Sequence, residues 1–239
     1  MLDKLNKLFL YLQGKGYGSA SIKSEVEATK RFVKGGVFID VGANKGLYSQ
    51  ELLSQYANSL TELHLFEPSK ELTENYLKFA DKRVRVNNFA LSDLSGSATL
   101  YKVAGYAGLN SLTKRRLDHF DVSMDHVEEI QKITLDEYTN RHNIEGIDLL
   151  KIDVEGHELD VLKGAKLNLE GGRIKCIQFE FGGCNIDTRV FFQDFWYLLN
   201  GEYGYQIYRI TPLGIKHIKK YTELDEIFLT TNYLAVKNK

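Results

Sequence analysis

Titratable side chains are concentrated at one point of the chain, directly after an apolar run: Asp153, Glu155, His157 and Glu158. Carboxyl groups packed at the mouth of a cleft raise one another's pKa, and a histidine exchanges its proton near neutral pH. In an extended chain the side chains of Asp153, Glu155 and His157 point the same way. Glu158 then turns outward or serves the first turn of a helix. We therefore predict a proton-transfer site with Asp153, Glu155 and His157 as candidate catalytic residues, and with either His157 or Glu155 as the base.

A glycine-rich turn lies earlier in the chain and follows another apolar run, residues 37–41. Gly42 permits a tight turn after Asp40, and Gly46 permits close approach of the backbone to a ligand. Glu67 ends the next apolar run, 21 residues beyond Gly46. A carboxylate at that place accepts hydrogen bonds from ribose hydroxyls. The order of strand, glycine turn, helix, strand and carboxylate predicts a site for a cofactor that carries a ribose.

The residue types in this turn discriminate between two classes of cofactor. A dinucleotide-binding turn has the pattern G-x-G-x-x-G, but Asn44 stands where the middle glycine would fall. The negative charge of Asp40 repels a pyrophosphate, whereas it attracts a sulfonium and an α-ammonium by roughly 1–4 kcal/mol. The turn therefore favours S-adenosylmethionine over NAD. Ser92 and Asp93, after the third apolar run, are predicted to meet the adenine edge, with a simple polar turn as the alternative.

The elements that must position these residues alternate along the chain between apolar strands and helices. This alternation predicts an α/β fold of three layers, with right-handed crossovers and a mostly parallel sheet covered on both faces. The main strands are predicted at residues 37–41, 63–67, 84–86, 147–152, 174–181, 205–210 and 233–236, with extra strands at 97–102 and 130–134. Helices are predicted at residues 2–13, 21–34, 71–80, 159–167 and 188–200, and from residue 47 onward.

The composition fits one globular unit of 239 residues, 43% hydrophobic and 26% charged, with a formal net charge of −1. We predict an N-terminal helical extension over residues 1–34 and a single domain over residues 35–239. The balanced charge argues against a nucleic-acid partner and against broad binding to anionic membranes. No apolar stretch is long enough to span a bilayer. Cys176 and Cys184 lack metal-ligand spacing and favour a reducing compartment, so we expect a cytoplasmic protein.

Several stretches of the sequence resemble the FkbM family of methyltransferases. They are Val37 to Ser49, the step Phe66-Glu67-Pro68, Asn88 to Asp93, and above all Ile147 to Ala165, which contains Lys-Ile-Asp-Val-Glu-Gly-His-Glu without a gap. The resemblance covers roughly residues 37–183. It implies the class I, Rossmann-like methyltransferase fold, with a mostly parallel seven-stranded sheet and an antiparallel last strand. It also implies methylation of a hydroxyl, commonly on a sugar of a polysaccharide, glycolipid or natural product.

Carried onto this chain, the resemblance implies a set of cofactor contacts: Asp40, Gly42, Asn44, Gly46, Glu67, Ser92 and Asp153. It places Glu155 and His157 beside the acceptor. A long stretch from Tyr101 to Asp125 contains Asn110 and Ser111, which resemble a short family element near the acceptor. Long loops beside a site are often lids, and this stretch is predicted to be one.

Other features bear on the acceptor and on rival functions. Methyltransferases that act on planar nitrogens often share an Asn/Asp-Pro-Pro-Tyr/Phe step, which is absent at Asp153, so oxygen is the expected acceptor atom. Asp153, Glu155 and Glu180 are an alternative set of Mg²⁺ ligands, but their spacing does not require a metal and none is assigned. Two rival functions stay open: an NAD-dependent oxidoreductase or epimerase, and a cofactor-binding domain without catalysis.

Two further groups of residues are given a structural interpretation. The run Lys114-Arg115-Arg116 is predicted to be a solvent-exposed charged face. Helical spacing predicts that Phe191, Phe195 and Leu198 lie in the core. Phe192 and Trp196 are the alternative candidates for an aromatic wall that stacks on a sugar.

Overall fold

The computed structural model describes residues 2–18, 21–73, 76 and 79–237. In this part of the chain, eight strands form one sheet and three strands form a second, smaller sheet. The strands are β1 (Gly36–Val41), β2 (Leu60–Phe66), β3 (Val84–Asn87), β4 (Ala90–Leu91), β5 (Gly96–Lys102), β6 (His126–Ile133), β7 (Ile147–Ile152), β8 (Ile174–Phe181), β9 (Tyr205–Thr211), β10 (Gly214–Ile218) and β11 (Thr231–Lys237).

Helices connect the strands of the larger sheet. They are α1 (Leu2–Leu12), α2 (Ile22–Thr29), α3 (Leu47–Gln55), α4 (Lys70–Thr73), α5 (Leu135–Arg141), α6 (Glu158–Lys163), α7 (Lys166–Glu170), α8 (Cys184–Thr188) and α9 (Phe192–Phe195), which continues as a π-helix over Trp196–Glu202. Short 3₁₀ helices lie at Ala107–Leu109, Asp118–Phe120 and Glu223–Asp225. None of the helices described is long and apolar enough to cross a membrane.

The larger sheet has the strand order β10-β9-β11-β8-β7-β1-β2-β3. Strands β1, β2, β3, β7 and β8 pair in parallel, and β11 runs antiparallel to both β8 and β9. The predicted α/β sheet, mostly parallel with an antiparallel last strand, is confirmed. An eighth strand, β10, extends the predicted seven because a turn at residues 212–213 folds the chain back onto β9. The smaller sheet, β4-β6-β5, contains the two extra strands that the sequence predicted.

Apolar residues on the strands alternate between the two faces of the larger sheet. Ile39 and Val41 of β1 pack in one buried cluster together with Val161 of α6. Phe38, which precedes Ile39, packs in a second cluster together with Leu52 of α3. Each face therefore has its own core, as expected for a parallel sheet covered on both sides. The predicted three-layer arrangement is confirmed.

Several predicted helices have different boundaries in the structure, and the one predicted at 21–34 ends at Thr29. The helix predicted at 159–167 is divided into α6 and α7 near Gly164. A Cβ at Gly164 would lie only 2.0 Å from the carbonyl oxygen of Ser92, so a glycine is required where these segments meet. Within the helix predicted at 71–80, residues 74, 75, 77 and 78 lie outside the described residues, and the described helix α4 covers Lys70–Thr73.

The aromatic residues near α9 differ in part from their predicted positions. Phe195 is fully buried, as predicted, but Phe191 is 46% exposed. Phe191 is the N-cap of α9 and has an extended backbone, so the helical spacing begins one residue later and Phe192 takes the core position. Trp196 is also buried. Neither Phe192 nor Trp196 is among the residues that line the cavity described below.

The N-terminal helices are attached to the domain in different ways. Helix α1 has no buried residue, whereas α2 packs on α3, where the hydroxyls of Thr29 and Tyr56 lie 2.7 Å apart. Before α2, the backbone N–H of Gly18 donates to the carbonyl of Thr230 at 2.9 Å. The side-chain amide of Asn232 donates to the carbonyl of Gly18, also at 2.9 Å. These bonds hold the N-terminal segment at the edge of the sheet where β8 ends and β11 begins.

Candidate active site

A cavity of about 820 Å³ opens at the edge of the sheet where β1, β2, β7 and β8 end. Its walls are the turn after β1, the loop after β2, strand β4, the insertion between β5 and β6, the segment after β7 and the end of β8. Helix α2 and the loop before β11 complete them. The charged residues of the lining are Glu25, Lys45, Glu67, Arg115, Lys151, Asp153, Glu155 and Glu180. Carboxyl groups outnumber basic groups in this lining, and a cationic ligand would favour their ionised form.

The turn after β1 brings bare backbone to the cavity. Gly42 has a φ of +79°, and a Cβ there would lie 1.8 Å from the carbonyl oxygen of Asp153. Asn44 also has a positive φ, 49°, and its backbone N–H points to Glu67. Its side-chain oxygen is buried and has no hydrogen-bond partner among the described residues. The turn therefore offers an unused acceptor beside the cavity.

Glu67 is held in place by the backbone. Its Oε2 accepts from the N–H of Asn44 at 3.0 Å, and its Oε1 accepts from the N–H of Ser69 at 2.9 Å. Burial raises the pKa of Glu67 to about 7, although these two bonds oppose the shift. Each oxygen keeps a lone pair for a further hydroxyl. The structure thus brings together Glu67 and Asn44, which the sequence predicted as cofactor contacts.

Asp40 does not line the cavity, in contrast to its predicted place beside a cationic ligand. It is fully buried, its Oδ2 accepts from the Ser49 hydroxyl at 2.6 Å, and its Oδ1 lies 3.6 Å from the Lys151 ammonium. The reason is the register of the sheet, in which Asp40 of β1 is paired with Lys151 of β7. Burial raises the pKa of Asp40, and Lys151 opposes that shift. Its charge acts on the cavity from behind the wall, where it adds to the raised pKa of Glu25 and of Glu67.

Three other predicted cofactor contacts also lie outside the cavity lining. A Cβ at Gly46 would lie 2.8 Å from the ring of Phe79, so this glycine makes room for a neighbouring ring. The Ser92 hydroxyl donates to Asp93 at 3.0 Å, and Asp93 pairs with Lys132 at 3.4 Å. Ser92 and Asp93 thus adopt the alternative arrangement, a polar turn. Strand β4, directly before them, supplies Ala90 and Leu91 to the wall instead.

The segment after β7 turns sharply and is not extended. Glu155 has a φ of +54° and Gly156 one of +102°, so the backbone differs from the extended chain on which the shared direction of Asp153, Glu155 and His157 was predicted, although all three residues line the cavity. Glu158 fixes this turn, because its buried Oε1 accepts from the N–H of Val154 at 3.0 Å and from that of Gly156 at 3.1 Å. Of the two roles expected for Glu158, it serves the turn.

Glu155 is ion-paired inside the protein. Its carboxylate contacts the guanidinium of Arg115, which also lies 3.7 Å from Asp187. Burial raises the pKa of Glu155 to about 8, Asp153 adds to the rise and Arg115 opposes it. Arg115 is itself buried, so the prediction of a solvent-exposed Lys114-Arg115-Arg116 face is wrong at its central residue. The insertion folds over the cavity and carries that side chain inward.

His157 lies in the wall of the cavity with both ring nitrogens engaged. Nδ1 is 2.8 Å from the carboxylate of Asp160, and Nε2 is 3.0 Å from the hydroxyl of Thr113. Burial alone would raise the pKa of Asp160, but His157 and Lys163 hold it below its usual value. Because the ionised carboxylate only accepts hydrogen bonds, Nδ1 carries the proton of the neutral imidazole. Nε2 is therefore the nitrogen that can accept a proton.

Three carboxyl groups meet beside this segment. Oxygens of Asp153, Glu155 and Glu180 all lie within 4.8 Å of one another, and these are the residues that could hold a divalent cation. Burial raises the pKa of Glu180 well above its usual value, and Asp153 and Glu155 add to the rise. Lys151 lies 3.1 Å from Asp153, and Arg115 pairs with Glu155. Since two of the three carboxylates already have a cation of this chain, we assign no metal.

The insertion contributes a whole wall of the cavity, residues 105–112. Asn110 and Ser111 lie in it, but their side chains hold the loop itself. Asn110 accepts from the N–H of Val103 at 3.2 Å, and the Ser111 hydroxyl donates to the carbonyl of Glu155 at 2.8 Å. The predicted position of this stretch over the site matches the structure, and Ser111 ties it to the segment after β7.

Several residues of the site were not selected from the sequence: Glu25, Thr113, Lys151 and Asp160. Two of them had a local signal. Asp160 stands three positions after His157 at the start of a helix, and Lys151 stands two positions before Asp153, so side chains meet at both spacings. Glu25 and Thr113 come from distant elements, so their roles depend on tertiary structure.

A family model for the methyltransferase FkbM domain matches residues 40–207, more than half of the chain. The chain belongs to the FkbM family of methyltransferases. The family resemblance expected from the sequence is thereby confirmed. The part of this FkbM-family chain that the model matches includes the glycine turn, Glu67 and the segment from Asp153 to Asp160. It does not include α2 or the loop before β11.

Solved structures similar to this FkbM-family chain have low sequence identity. Methyltransferase FkbM from Methylobacillus flagellatus KT is 16% identical with a TM-score of 0.48, and the similarity covers 85% of this chain and 43% of that one. This chain thus spans less than half of that protein. An rRNA methylase from Streptococcus thermophilus is 8% identical with a TM-score of 0.44, and coverage is 92% of this chain and 96% of that chain.

TrmK of M. capricolum, solved with S-adenosyl-homocysteine, is 12% identical to this FkbM-family chain with a TM-score of 0.45, and coverage is 92% of this chain and 69% of that chain. No curated protein sequence matches the chain. The expected absence of a nucleic-acid partner stays a prediction.

Proposed function

We propose that this protein transfers a methyl group from S-adenosylmethionine to a hydroxyl group of a small molecule or of a sugar in a glycan or glycolipid. The observation that carries the proposal is the position of His157. Its Nε2 already accommodates a hydroxyl, that of Thr113, at 3.0 Å, and it shares one cavity with Glu67 and Asn44. A proton acceptor and a ribose-binding carboxylate thus face the same space.

The cavity fits this methyl donor better than a dinucleotide. Gly42 leaves the backbone bare where a Cβ would collide with Asp153, and Asn44 offers an unpartnered side-chain oxygen. The lining has more carboxyl groups than basic groups, and a cationic sulfonium would favour their ionised form, whereas a pyrophosphate would not. The cationic attraction expected from Asp40 is supplied in this proposal by the lining acids instead. The proposed methyl donor contacts are Gly42, Asn44, Glu67 and Asp153.

The chemistry requires a hydroxyl oxygen to attack the methyl carbon while its proton leaves. S-adenosylmethionine, when bound, supplies a methyl group activated by a positive sulfur. His157 Nε2 accepts the hydroxyl proton, which typically accelerates a reaction ~10²–10⁴-fold. Asp160 acts as a positioning residue because it fixes the tautomer of His157 and balances the charge of the protonated ring.

Glu155 is the weaker candidate for the base. Its carboxylate is engaged by the guanidinium of Arg115, and taking up a proton there would leave that buried cation with only the more distant carboxylate of Asp187. His157 instead exchanges one hydroxyl partner for another when an acceptor replaces Thr113. This difference supports His157 as the base and gives Glu155 the role of holding Arg115 beside the acceptor.

A binding experiment separates this proposal from its NAD-dependent rival. Ligand at ~100 times its Kd stabilises a protein by roughly 2.7 kcal/mol, which a thermal shift detects. We expect S-adenosylhomocysteine to raise the Tm and NAD to leave it unchanged. The opposite pattern would support the oxidoreductase and contradict our proposal.

The acceptor class is tested by transfer of labelled methyl groups. The purified protein and S-adenosylmethionine with a tritiated methyl group are added to an extract of the source organism, and the products are fractionated. We expect label in a glycan, glycolipid or small molecule as an alkali-stable ether. Label in RNA or protein would contradict the proposed acceptor, and cofactor binding without transfer to any fraction would support the non-catalytic alternative.

A further inference from the structure

Glu25 is an acidic residue of the cavity wall that the segment matched by the family model does not contain. It lies in α2 and is 8% exposed. Its Oε2 accepts from the side-chain amide of Gln178 at 3.0 Å, and the oxygen of that amide accepts from the hydroxyl of Tyr48 at 2.7 Å. Gln178 is fully buried in β8. The Glu25 carboxylate is therefore held in a fixed position by strand β8 and helix α3.

The second carboxylate oxygen of Glu25, Oε1, is available to a ligand. Among the described residues, nothing donates a hydrogen bond to Oε1, and no basic group lies within ion-pair distance of the carboxylate. Burial raises the pKa of Glu25 to about 8, and the more distant Lys151 opposes the rise. A buried carboxylate is costly unless it meets a cation or a hydrogen-bond donor. A ligand in the cavity can supply one.

The order of the strands indicates which part of the methyl donor reaches Glu25. Glu67 follows β2, and Gln178, the partner of Glu25, belongs to β8. The intervening strands are β1 and β7, and neighbouring strands lie ~4.8 Å apart. A methyl donor with its ribose at Glu67 extends its amino-acid tail across β1 and β7. The cationic end of that tail is its α-ammonium.

We infer that Glu25 binds the α-ammonium of the methyl donor, so that helix α2 completes the cofactor site. This inference rests on the proposed use of S-adenosylmethionine. A metal ion is a less suitable partner for Glu25, because the carboxylates that lie close enough together to share one are Asp153, Glu155 and Glu180. An ammonium needs only one fixed carboxylate with a free oxygen, which is what Glu25 presents.

The test compares two ligands that differ in the tail. S-adenosylhomocysteine carries the ribose and the α-ammonium, whereas 5′-methylthioadenosine carries the ribose alone. Affinities are measured by isothermal titration calorimetry for wild type, Glu25→Gln, Glu67→Ala and Glu27→Gln. Glu27 is the matched control, since it is an exposed acid of the same helix paired with Lys30.

We expect Glu25→Gln to weaken S-adenosylhomocysteine about 10- to 100-fold, the usual loss for a hydrogen bond to a charged group, and to leave 5′-methylthioadenosine unchanged. Glu67→Ala weakens both ligands, and Glu27→Gln weakens neither. The amide introduced by Glu25→Gln can still accept from Gln178, and a Tm equal to wild type verifies the fold. Glu25→Asp, which keeps the charge, should recover part of the affinity.

Wild-type affinity for S-adenosylhomocysteine in Glu25→Gln would overturn the inference, and so would an equal loss of both ligands. If the Glu25→Gln variant does not fold, wild type alone decides: an equal affinity for the two ligands would also overturn it. Failure of the wild-type protein to bind either ligand would instead contradict the proposed methyl donor, and the role of Glu25 with it.

Discussion

His157 and Asp160 form a pair in which the imidazole Nδ1 lies 2.8 Å from a carboxylate oxygen. The pair leaves Nε2 as the accepting nitrogen, directed at the Thr113 hydroxyl. In the proposed reaction the imidazole ring becomes positive when it takes up a proton. The carboxylate beside it, that of Asp160, has a lowered pKa and stays negative. The geometry therefore assigns separate tasks to two residues of one helical turn.

Replacement of Asp160 tests the pair. We expect Asp160→Asn to lower kcat by ~10²–10⁴-fold, because the variant loses the charge that stabilises the imidazolium and can hold the wrong tautomer. The affinity for S-adenosylhomocysteine should stay the same. Lys163→Gln is the control, since Lys163 contacts the same carboxylate from an exposed position. Wild-type turnover in Asp160→Asn would exclude this role.

Replacement of Glu67 and of His157 separates binding from chemistry. Glu67→Ala should weaken S-adenosylhomocysteine binding ~10- to 100-fold, through loss of a hydrogen bond to a charged group. His157→Ala should lower turnover and leave that affinity nearly intact. Calorimetry and labelled methyl transfer measure the two effects. Glu71→Ala is the control, since the Glu71 side chain is exposed. An equal loss of affinity in Glu67→Ala and His157→Ala would show that the role given to the histidine is wrong.

Replacement of Arg115 should make stability more sensitive to pH. A carboxyl group whose pKa is raised by folding destabilises the folded state as pH climbs from its unfolded pKa, ~4.3, to its folded pKa. The pKa of Glu155 in the folded protein is about 8, and Arg115 keeps it from rising further. In Arg115→Met the loss of stability with rising pH therefore continues to higher pH. Breaking such a buried pair costs ~3–5 kcal/mol. The Tm deficit against wild type should therefore be larger near pH 9 than near pH 6.5.

The exposed neighbour Arg116 supplies the control for this series, as Arg116→Met should behave like wild type at both pH values. A deficit of Arg115→Met that does not change with pH would mean that lost packing, and not the charge of Glu155, sets the stability.

Replacement of Gly42 tests the close approach of β1 to β7. Both Gly42→Ala and Gly105→Ala place a side chain at a positive φ, +79° and +75°, which costs roughly 1–2 kcal/mol. Only Gly42→Ala adds a collision, with the Asp153 carbonyl, since nothing lies within 4 Å of a Cβ at Gly105. Gly105→Ala should lower the Tm by ~2–8 °C and Gly42→Ala by clearly more. Equal Tm values would argue against the collision.

The strands and the glycine turn are readable from the sequence because their signals are local. The runs at β7 and β8 are rich in apolar residues, as expected for strands buried on both faces, and their predicted bounds match the structure. Glu67 directly follows β2, and His157 follows β7 after a short turn. Both residues therefore reach the cavity. For these positions the end of the strand determines the location of the side chain.

The direction of a side chain is harder to predict, because it depends on register and on turn geometry. Asp40 is one residue from the end of β1, and its pairing with Lys151 exists only once β1 and β7 are neighbours. Glu155 has a left-handed backbone, so the direction of its side chain does not follow from the spacing of an extended chain. Arg115 and Thr113 come from an insertion whose path depends on contacts with several other elements. None of these has a signature within a short window of sequence.

The insertion supplies both the hydroxyl at His157 and the guanidinium at Glu155. In the proposed reaction an incoming alcohol displaces the first and passes beside the second, so recognition of the acceptor and removal of its proton occur together. A change in the length or composition of this one loop should therefore change which acceptor is used. The same change should also alter the reaction rate.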